Sequence, residues 1–158
     1  MAPNGIVVVG SANMDVVFNV ERIPLPGETL LATSLAKYPG GKGLNQAVAA
    51  ARAGSPTAFV GALGQDEHGD ELFATMTSAG MYTECVRRVP GESGQAFIVV
   101  GDNAENTIIV ASGANGLVTV LEAADRDLVA SSAVLLMQLE LPLDVVIESA
   151  RLARESGT

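Results

Sequence analysis

Short apolar runs alternate with helical patterns along the chain. Three largely apolar runs, at residues 6–10, 57–63 and 133–139, have the length and composition of buried β-strands. Three Ala-rich or amphipathic stretches, at 43–52, 67–79 and 143–155, have the pattern of helices, and a glycine follows each within two residues. This alternation predicts an α/β fold in which helices cover both faces of a central, mostly parallel sheet.

Two regions break this alternation. Pro24-Leu-Pro-Gly27 excludes a helix from the middle of residues 15–37, where the remaining pieces are strand-like. Residues 95–100 and 107–111 are apolar and rich in β-branched side chains, and the polar turn between them predicts a hairpin. No helix separates these two strands, so they cannot form a parallel crossover unit. We expect both regions to form a small, separate β-sheet.

Composition indicates a globular protein and narrows the classes of partner. Of 158 residues, 48% are hydrophobic and 17% charged, and the net charge is −9. That charge argues against binding nucleic acid phosphates or an anionic membrane surface. No apolar run approaches the roughly 20 residues of a membrane span, and no basic segment precedes an apolar one at the N terminus, so we expect a cytoplasmic protein. One cysteine and one histidine predict neither an internal disulfide nor a structural zinc site.

The segment Pro39-Gly-Gly-Lys-Gly-Leu-Asn45 directly precedes a predicted helix. Its glycines would let backbone N–H groups approach a ligand closely, although a plain turn into a helix has the same pattern. The Walker phosphate-binding pattern is not met, because Lys42 lacks the required spacing and a following Ser or Thr. Residues 10–15 lack the second and third glycines of the dinucleotide fingerprint, which disfavours a nicotinamide dehydrogenase.

Polar side chains follow two predicted strands at their carboxyl ends, where open α/β sheets bind ligands. Asn13 and Asp15 follow the first strand and could hold the vicinal hydroxyls of a sugar, or could form a solvated turn. Glu140 follows the strand at 133–139 in the same way and could equally belong to a loop or helix cap.

Three other features have simple structural interpretations. The carboxylates around His68 predict an acidic helix N-terminus rather than a metal site. Cys85 has no histidine in a suitable motif and is expected to be a structural thiol. Arg87-Arg88 is expected to form a solvated turn rather than a phosphate clamp.

The chain resembles the ribokinase-like sugar kinase family. The family's first signature is similar to Gly40-Gly-Lys-Gly-Leu-Asn-Gln-Ala47, followed by Gly54 and Gly64 at the family's spacing. Further resemblance, in the family's order, lies in Gly10–Asp15, Pro26–Thr29, Asn45–Ala50, Gly113–Asn115 and Leu136–Glu140. The resemblance covers residues 1–158 but only the N-terminal half of the family's length.

This resemblance implies a function and a set of sugar-binding residues. It implies transfer of the ATP γ-phosphoryl group to the 5-hydroxyl of D-ribose, with Mg²⁺. Alternatives are a fructokinase, a nucleoside kinase or a ketodeoxygluconate kinase of the same family, or a non-catalytic sugar-binding or dimerisation fragment. The sugar-binding residues that it implies are Asn13, Asp15, Gly40, Gly41, Lys42, Asn45 and Glu140.

The resemblance also implies a lid and a partner. The β regions at about 15–37 and 95–111 would form a lid over the sugar. In the closest members of the family, such a lid pairs with the lid of a second subunit, and an exposed edge of apolar strands such as 97–100 would need this cover. The expected partners are therefore a sugar and a second copy of the chain.

One family motif has no match in this sequence. The family's catalytic carboxylate belongs to an Asp-Thr-x-Gly-Ala-Gly-Asp motif, and the nearest string, Gly61–Asp66, lacks its spacing. We therefore expect residues 1–158 to be the N-terminal part of the fold, with the catalytic base and most of the ATP site outside the chain. We also expect the chain alone to be inactive as a kinase.

Overall fold

The computed structural model describes residues 4–158, which form two four-stranded sheets, four α-helices and one 3₁₀ turn. The strands are β1 (Ile6–Val9), β2 (Asn13–Val20), β3 (Ser34–Gly40), β4 (Thr57–Gly64), β5 (Val86–Val89), β6 (Gly94–Gly101), β7 (Asn106–Ala111) and β8 (Val134–Met137). The helices are α1 (Lys42–Arg52), α2 (Glu67–Ser78), α3 (Ala123–Ser131) and α4 (Leu143–Ser156), and the 3₁₀ turn is Gly113–Leu117.

Sheet A is parallel and has the strand order β5-β4-β1-β8. Its central strand, β1, is a continuous valine run because both of its faces are covered, and Val7, Val8 and Val9 are fully buried. One face packs on α3 and α4, with Val7, Val9, Val129 and Val145 in one cluster. The other face packs on α1 and α2, with Val8, Leu44, Leu72 and Met76 in a second cluster. The predicted α/β fold is confirmed. The prediction of a buried strand at 133–139 is wrong in its burial, because β8 is an edge strand in which Val134 and Met137 are 44% and 37% exposed.

Sheet B is mixed and has the strand order β3-β2-β6-β7. Strands β2 and β6 are parallel, while β2–β3 and β6–β7 are antiparallel. The β6–β7 pair is the predicted hairpin. The expectation of an exposed edge at 97–100 is wrong, because β6 is paired on both sides and the edge strands are β3 and β7. Because successive side chains of a strand point to opposite faces, sheet B has two distinct surfaces. The pairing register gives the inner face Asp15, Ala96, Ile98, Ile108 and Val110, and the outer face Leu35, Phe97 and Ile109.

The prediction of a solvated turn at Arg87-Arg88 is wrong, because both arginines lie in strand β5. The Arg87 side chain is only 17% exposed and pairs with Asp125 at the start of α3. Arg88 pairs with Asp70 of α2 at 2.6 Å, and that aspartate is 74% exposed. The two arginines are therefore ion-pair anchors that join β5 to helices on both faces of sheet A.

Asp66 joins α2 to the segment that enters β6. It caps α2 by accepting a hydrogen bond from the Gly69 N–H at 2.8 Å, and it accepts two more from Ser93, at 2.9 Å from N–H and 2.6 Å from the hydroxyl. Burial alone would raise the pKa of Asp66, but these hydrogen bonds outweigh it and hold the pKa below its usual range. The acidic helix start predicted around His68 is therefore present, and the structure adds its cap by Asp66.

Cys85 lies half-buried beside the Arg87–Asp125 pair. Burial, followed by the charge of Asp125, raises the pKa of its thiol to about 11. At neutral pH the sulfur therefore stays protonated, as expected for a structural thiol. Within residues 4–158, no helix combines the length and apolar character needed to cross a membrane.

Candidate functional site

A cavity of about 130 Å³ lies between the carboxyl end of sheet A and the inner face of sheet B. We call it the polar cavity. One wall is polar and consists of Asn13, Asp15, Gly41, Lys42, Asn45 and Glu140. The opposite wall is apolar and consists of Ala96, Ile98, Ile108 and Val110. Six of the seven residues predicted from the sequence thus line one cavity, and the seventh, Gly40, packs against Asp15.

The backbone brings these residues together from three strand ends. The chain leaves β1 at Val9 and enters β2 at Asn13, so Asn13 and Asp15 lie at the carboxyl end of sheet A. Strand β3 ends at Gly40, where an added methyl group would lie 2.1 Å from Asp15 Oδ2. Glu140 follows β8, the parallel neighbour of β1.

Gly41 controls the entry into α1. Its φ of 92° lies in the left-handed region that favours glycine, and an added Cβ would lie 2.8 Å from the backbone nitrogen of Asn13. This turn starts α1 at Lys42, and it places Lys42 and Asn45, one helical turn apart, at the cavity. Close packing therefore explains each glycine of this segment: Gly41 lies against the Asn13 backbone, Gly43 against the Ser11 backbone and Gly40 against the Asp15 carboxylate.

Glu140 is held by the protein before any ligand binds. Ser11 Oγ donates a 2.6 Å hydrogen bond to Glu140 Oε2, and the Lys42 ammonium pairs with Oε1. Burial alone would raise the pKa of Glu140, but the hydrogen bonds from Lys42 and Ser11 outweigh it and keep the pKa below its usual range. Glu140 is therefore a fixed, ionised acceptor at neutral pH.

Asp15 is in a different electrostatic position. Burial, and then the nearby charge of Glu140, raise the pKa of Asp15, while Lys42 opposes the shift. Within the described residues, its side chain accepts no hydrogen bond. Its carboxylate is thus an acceptor left available to a ligand in the cavity.

Two polar residues of this site were missed by sequence reasoning. Ser11 is fully buried and supports Glu140, and Asn115 is 1% exposed and donates to Asn13 Oδ1 at 2.8 Å. Both lie inside segments that carry the family resemblance, and this resemblance could have identified them as site residues. The apolar wall was also missed, although two-residue alternation in the predicted hairpin would have grouped Ala96 with Ile98 and Ile108 with Val110.

The side chains of the described residues offer no grouped metal ligands. Among residues 4–158, no three or more His, Cys, Asp or Glu side chains are grouped so as to hold a metal ion. The Mg²⁺ that the resemblance implies therefore has no preformed ligand set in this part of the chain.

Comparison with known proteins gives consistent matches. Residues 4–158 match the family model described as pfkB family carbohydrate kinase. The chain is 40% identical over 154 residues to a ribokinase of Haemophilus influenzae, covering 96% of this chain and 50% of that protein. It is 39% identical over 155 residues to a bifunctional ribokinase/ribose-5-phosphate isomerase A of Fructilactobacillus sanfranciscensis, covering 96% of this chain and 29% of that protein.

A solved structure has the same fold throughout. The structure of Arabidopsis thaliana ribokinase complexed with ribose and ATP matches with a TM-score of 0.87 and 36% identity, over 100% of this chain and 52% of that chain. The chain belongs to the pfkB family of carbohydrate kinases. It spans about half the length of these relatives or less.

Proposed function

We propose that residues 1–158 are the sugar-binding part of a kinase that transfers the ATP γ-phosphoryl group to the 5-hydroxyl of D-ribose. The observation that carries this proposal is the polar cavity, where Asp15 and Glu140 face an apolar wall. The chain that forms this cavity is 40% identical to the Haemophilus influenzae ribokinase, which supports ribose over other sugars.

The cavity's chemistry suits a small polyol. Carboxylates accept hydrogen bonds from hydroxyl groups, and the amides of Asn13 and Asn45 can donate to hydroxyl oxygens. The apolar wall can cover the carbon face of a sugar ring. This combination of polar and apolar walls supports a monosaccharide as the ligand.

We propose that the residues that carry out phosphoryl transfer lie outside residues 1–158. The described residues hold no preformed metal site, and the sequence has no match to the family's aspartate motif. We therefore assign the catalytic base, most of the ATP site and the Mg²⁺ ligands to the second half that the relatives carry. Because ATP is the proposed donor, we also propose a cytoplasmic location.

Sheet B is proposed to act as a lid and as a dimer interface. This lid takes in the regions at about 15–37 and 95–111, and its inner face forms the apolar wall of the cavity. Its outer face carries Leu35, Phe97 and Ile109, which are 55%, 37% and 66% exposed. Apolar side chains grouped in this way are typical of an interface, and we propose that the same face of a second copy covers them.

A phosphorylation assay tests the proposal. Residues 1–158 are joined to the second half of the Haemophilus influenzae ribokinase. ADP release by this hybrid is followed with ribose, fructose and adenosine as acceptors. The same hybrid carrying Asp15→Ala is the control. We expect ribose to be the best acceptor, Asp15→Ala to abolish turnover, and residues 1–158 alone to show no turnover above background. Preference for fructose or adenosine would contradict the ribose assignment, and turnover by the chain alone would contradict the assignment of the base to the second half.

A further inference from the structure

Asn115 and Asn13 form a buried amide pair beside the polar cavity. Asn115 lies in the 3₁₀ turn Gly113–Leu117 and is 1% exposed, while Asn13 starts β2 and is 3% exposed. Asn115 Nδ2 donates a 2.8 Å hydrogen bond to Asn13 Oδ1, across 102 residues of sequence. The pair joins two segments that carry the family resemblance.

The backbone of Ala12 fixes which way the Asn115 amide faces. The Ala12 N–H donates to Asn115 Oδ1 at 3.0 Å, and because an N–H can only donate, the atom that it meets must be the oxygen. The Asn115 nitrogen then lies on the other side, where it donates to the Ala12 carbonyl at 3.1 Å and to Asn13. Asn115 thus has a single orientation that satisfies all three contacts.

This orientation of Asn115 in turn fixes which way the side-chain amide of Asn13 faces. Its oxygen faces Asn115, so its nitrogen is left for the cavity that Asn13 lines. Within the described residues, Asn13 Nδ2 makes no hydrogen bond. Asp15 and Glu140 offer only acceptors when ionised, so the Asn13 amide supplies a donor among them. A sugar hydroxyl that donates to a carboxylate can accept from this amide.

We propose that Asn115 is a positioning residue that sets the polarity of the sugar site by holding Asn13 with its amide nitrogen toward the ligand. The inference rests on the proposed function of the polar cavity as a sugar site. Asn115 acts through Asn13 and supplies the site with a neutral donor.

Gly94 leaves space for the pair. It is the β6 residue opposite Asn13, and an added Cβ would lie 2.1 Å from Asn115 Nδ2 and 2.2 Å from Asn13 Oδ1. A methyl group at Gly94 would therefore force the two amides apart. Gly94→Ala provides a second way to break the pair without changing either asparagine.

The test compares binding of D-ribose and its monodeoxy analogues to the 158-residue chain by titration calorimetry. Asn13→Ala identifies the hydroxyl that Asn13 binds, because this variant should discriminate less against the analogue that lacks it. Asn115→Asp keeps an oxygen for the Ala12 N–H but replaces the donor with an acceptor, so Asn13 should rotate. We expect Asn115→Asp to bind ribose about 10-fold more weakly and to lose discrimination at the same hydroxyl as Asn13→Ala. Adding Asn13→Ala to Asn115→Asp should lower the ribose affinity by less than about 2-fold more.

Val118→Ala is the matched control. Val118 is a fully buried apolar residue that directly follows the 3₁₀ turn, so its truncation should destabilise this region without touching Asn13. It should lower the melting temperature and leave the ribose-to-deoxyribose affinity ratio unchanged. Gly94→Ala should reproduce the loss of discrimination, which keeps the test usable if Asn115→Asp fails to fold. In the wild-type chain, ribose should shift the side-chain amide NMR signals of Asn13 more than those of Asn115.

The outcomes separate this inference from the proposed function. Three outcomes would overturn the positioning role alone. The first is that folded Asn115→Asp still discriminates between ribose and its deoxy analogues as the wild type does. The others are that the losses in affinity from Asn115→Asp and Asn13→Ala add fully, or that ribose shifts the NMR signals of Asn115 more than those of Asn13. Absence of ribose binding by the wild-type chain, or unchanged ribose affinity in Asn13→Ala, would overturn the sugar site and the positioning role together.

Discussion

Ser11 and Glu140 are joined by a 2.6 Å hydrogen bond across 129 residues of sequence. Ser11 follows β1 and Glu140 follows β8, and these strands are parallel neighbours, so their carboxyl ends meet at one edge of sheet A. Lys42 engages the other oxygen of Glu140. The acceptor is therefore oriented before a ligand arrives, which reduces the ordering cost of binding.

Asp15 is the site residue whose charge opposes stability, so Asp15→Asn should stabilise the chain and weaken sugar binding. The substitution removes a partly buried charge close to Glu140 while keeping the side chain's size. We expect the free energy of unfolding to rise by less than about 1 kcal/mol, since the side chain is partly exposed and solvent screens it. Ribose binding should weaken at least about 10-fold with loss of the charged acceptor. Urea denaturation and calorimetry measure the two effects, and a variant both less stable and unimpaired in binding would contradict this account.

The stabilisation by Asp15→Asn should depend on pH. The pKa of Asp15 is raised in the folded chain, so the penalty from its charge is complete above that pKa and is relieved as the pH falls through it toward the ordinary value of 3.8. The difference in unfolding free energy between variant and wild type should therefore shrink as the pH falls from 7 toward 3.8. A constant difference over this range would show that charge burial is not its cause.

Neighbouring isoleucines on β7 should separate dimerisation from sugar binding. Ile109 lies on the outer face of sheet B, and Ile108 lines the polar cavity on the inner face. Ile109→Asp should produce monomers that bind ribose normally, while Ile108→Asp should keep the dimer and lose ribose binding. Sedimentation velocity at micromolar concentration checks the oligomeric state. A wild-type chain that is monomeric, or equal effects of the two variants, would contradict the proposed interface.

The two ion pairs of β5 should differ strongly in their contribution to stability. Asp125 is 2% exposed and pairs with Arg87, so Asp125→Ala would leave a mostly buried guanidinium without that carboxylate. Glu122 stays 3.2 Å from Arg87 Nε and keeps part of the charge compensated, so we expect a loss of about 2 kcal/mol in the free energy of unfolding. Asp70→Ala removes the exposed partner of Arg88 and is the control, with an expected loss below about 1 kcal/mol. Urea denaturation measures both, and similar losses would show that burial of the Arg87 pair is energetically unimportant.

The sequence predicted the elements that carry a strong local pattern. The valine run of β1, the Ala-rich α1 and the β6–β7 hairpin each combine periodicity with a clear end signal, and all three are present. The candidate site could also be predicted in outline, because polar residues directly after parallel strands converge on one edge of a sheet. Their placement around one cavity is observed, whereas sugar binding by these residues stays a prediction.

Helix α3 was missed although Glu122 and Asp125 form a local capping box at its start. The side-chain contacts that the sequence did not reveal depend on distant partners. Arg87 lies in a strand of four residues whose polar pattern resembles a turn. Its burial is explained by partners more than 30 residues away, namely Asp125, Glu122 and the Val120 carbonyl. The Ser11–Glu140 and Asn115–Asn13 contacts span more than 100 residues. No local periodicity encodes such contacts, because they depend on which strands become neighbours.

Binding of D-ribose to the 158-residue chain tests the central claim most directly. Titration calorimetry with ribose, fructose and adenosine should show the tightest binding for ribose, because we expect weaker binding of a substrate that leaves the Asp15 carboxylate without a hydroxyl partner. Asp15→Ala should weaken ribose binding at least about 10-fold. Tighter binding of adenosine or fructose, no ribose binding by the folded chain, or unchanged affinity in Asp15→Ala would contradict the account.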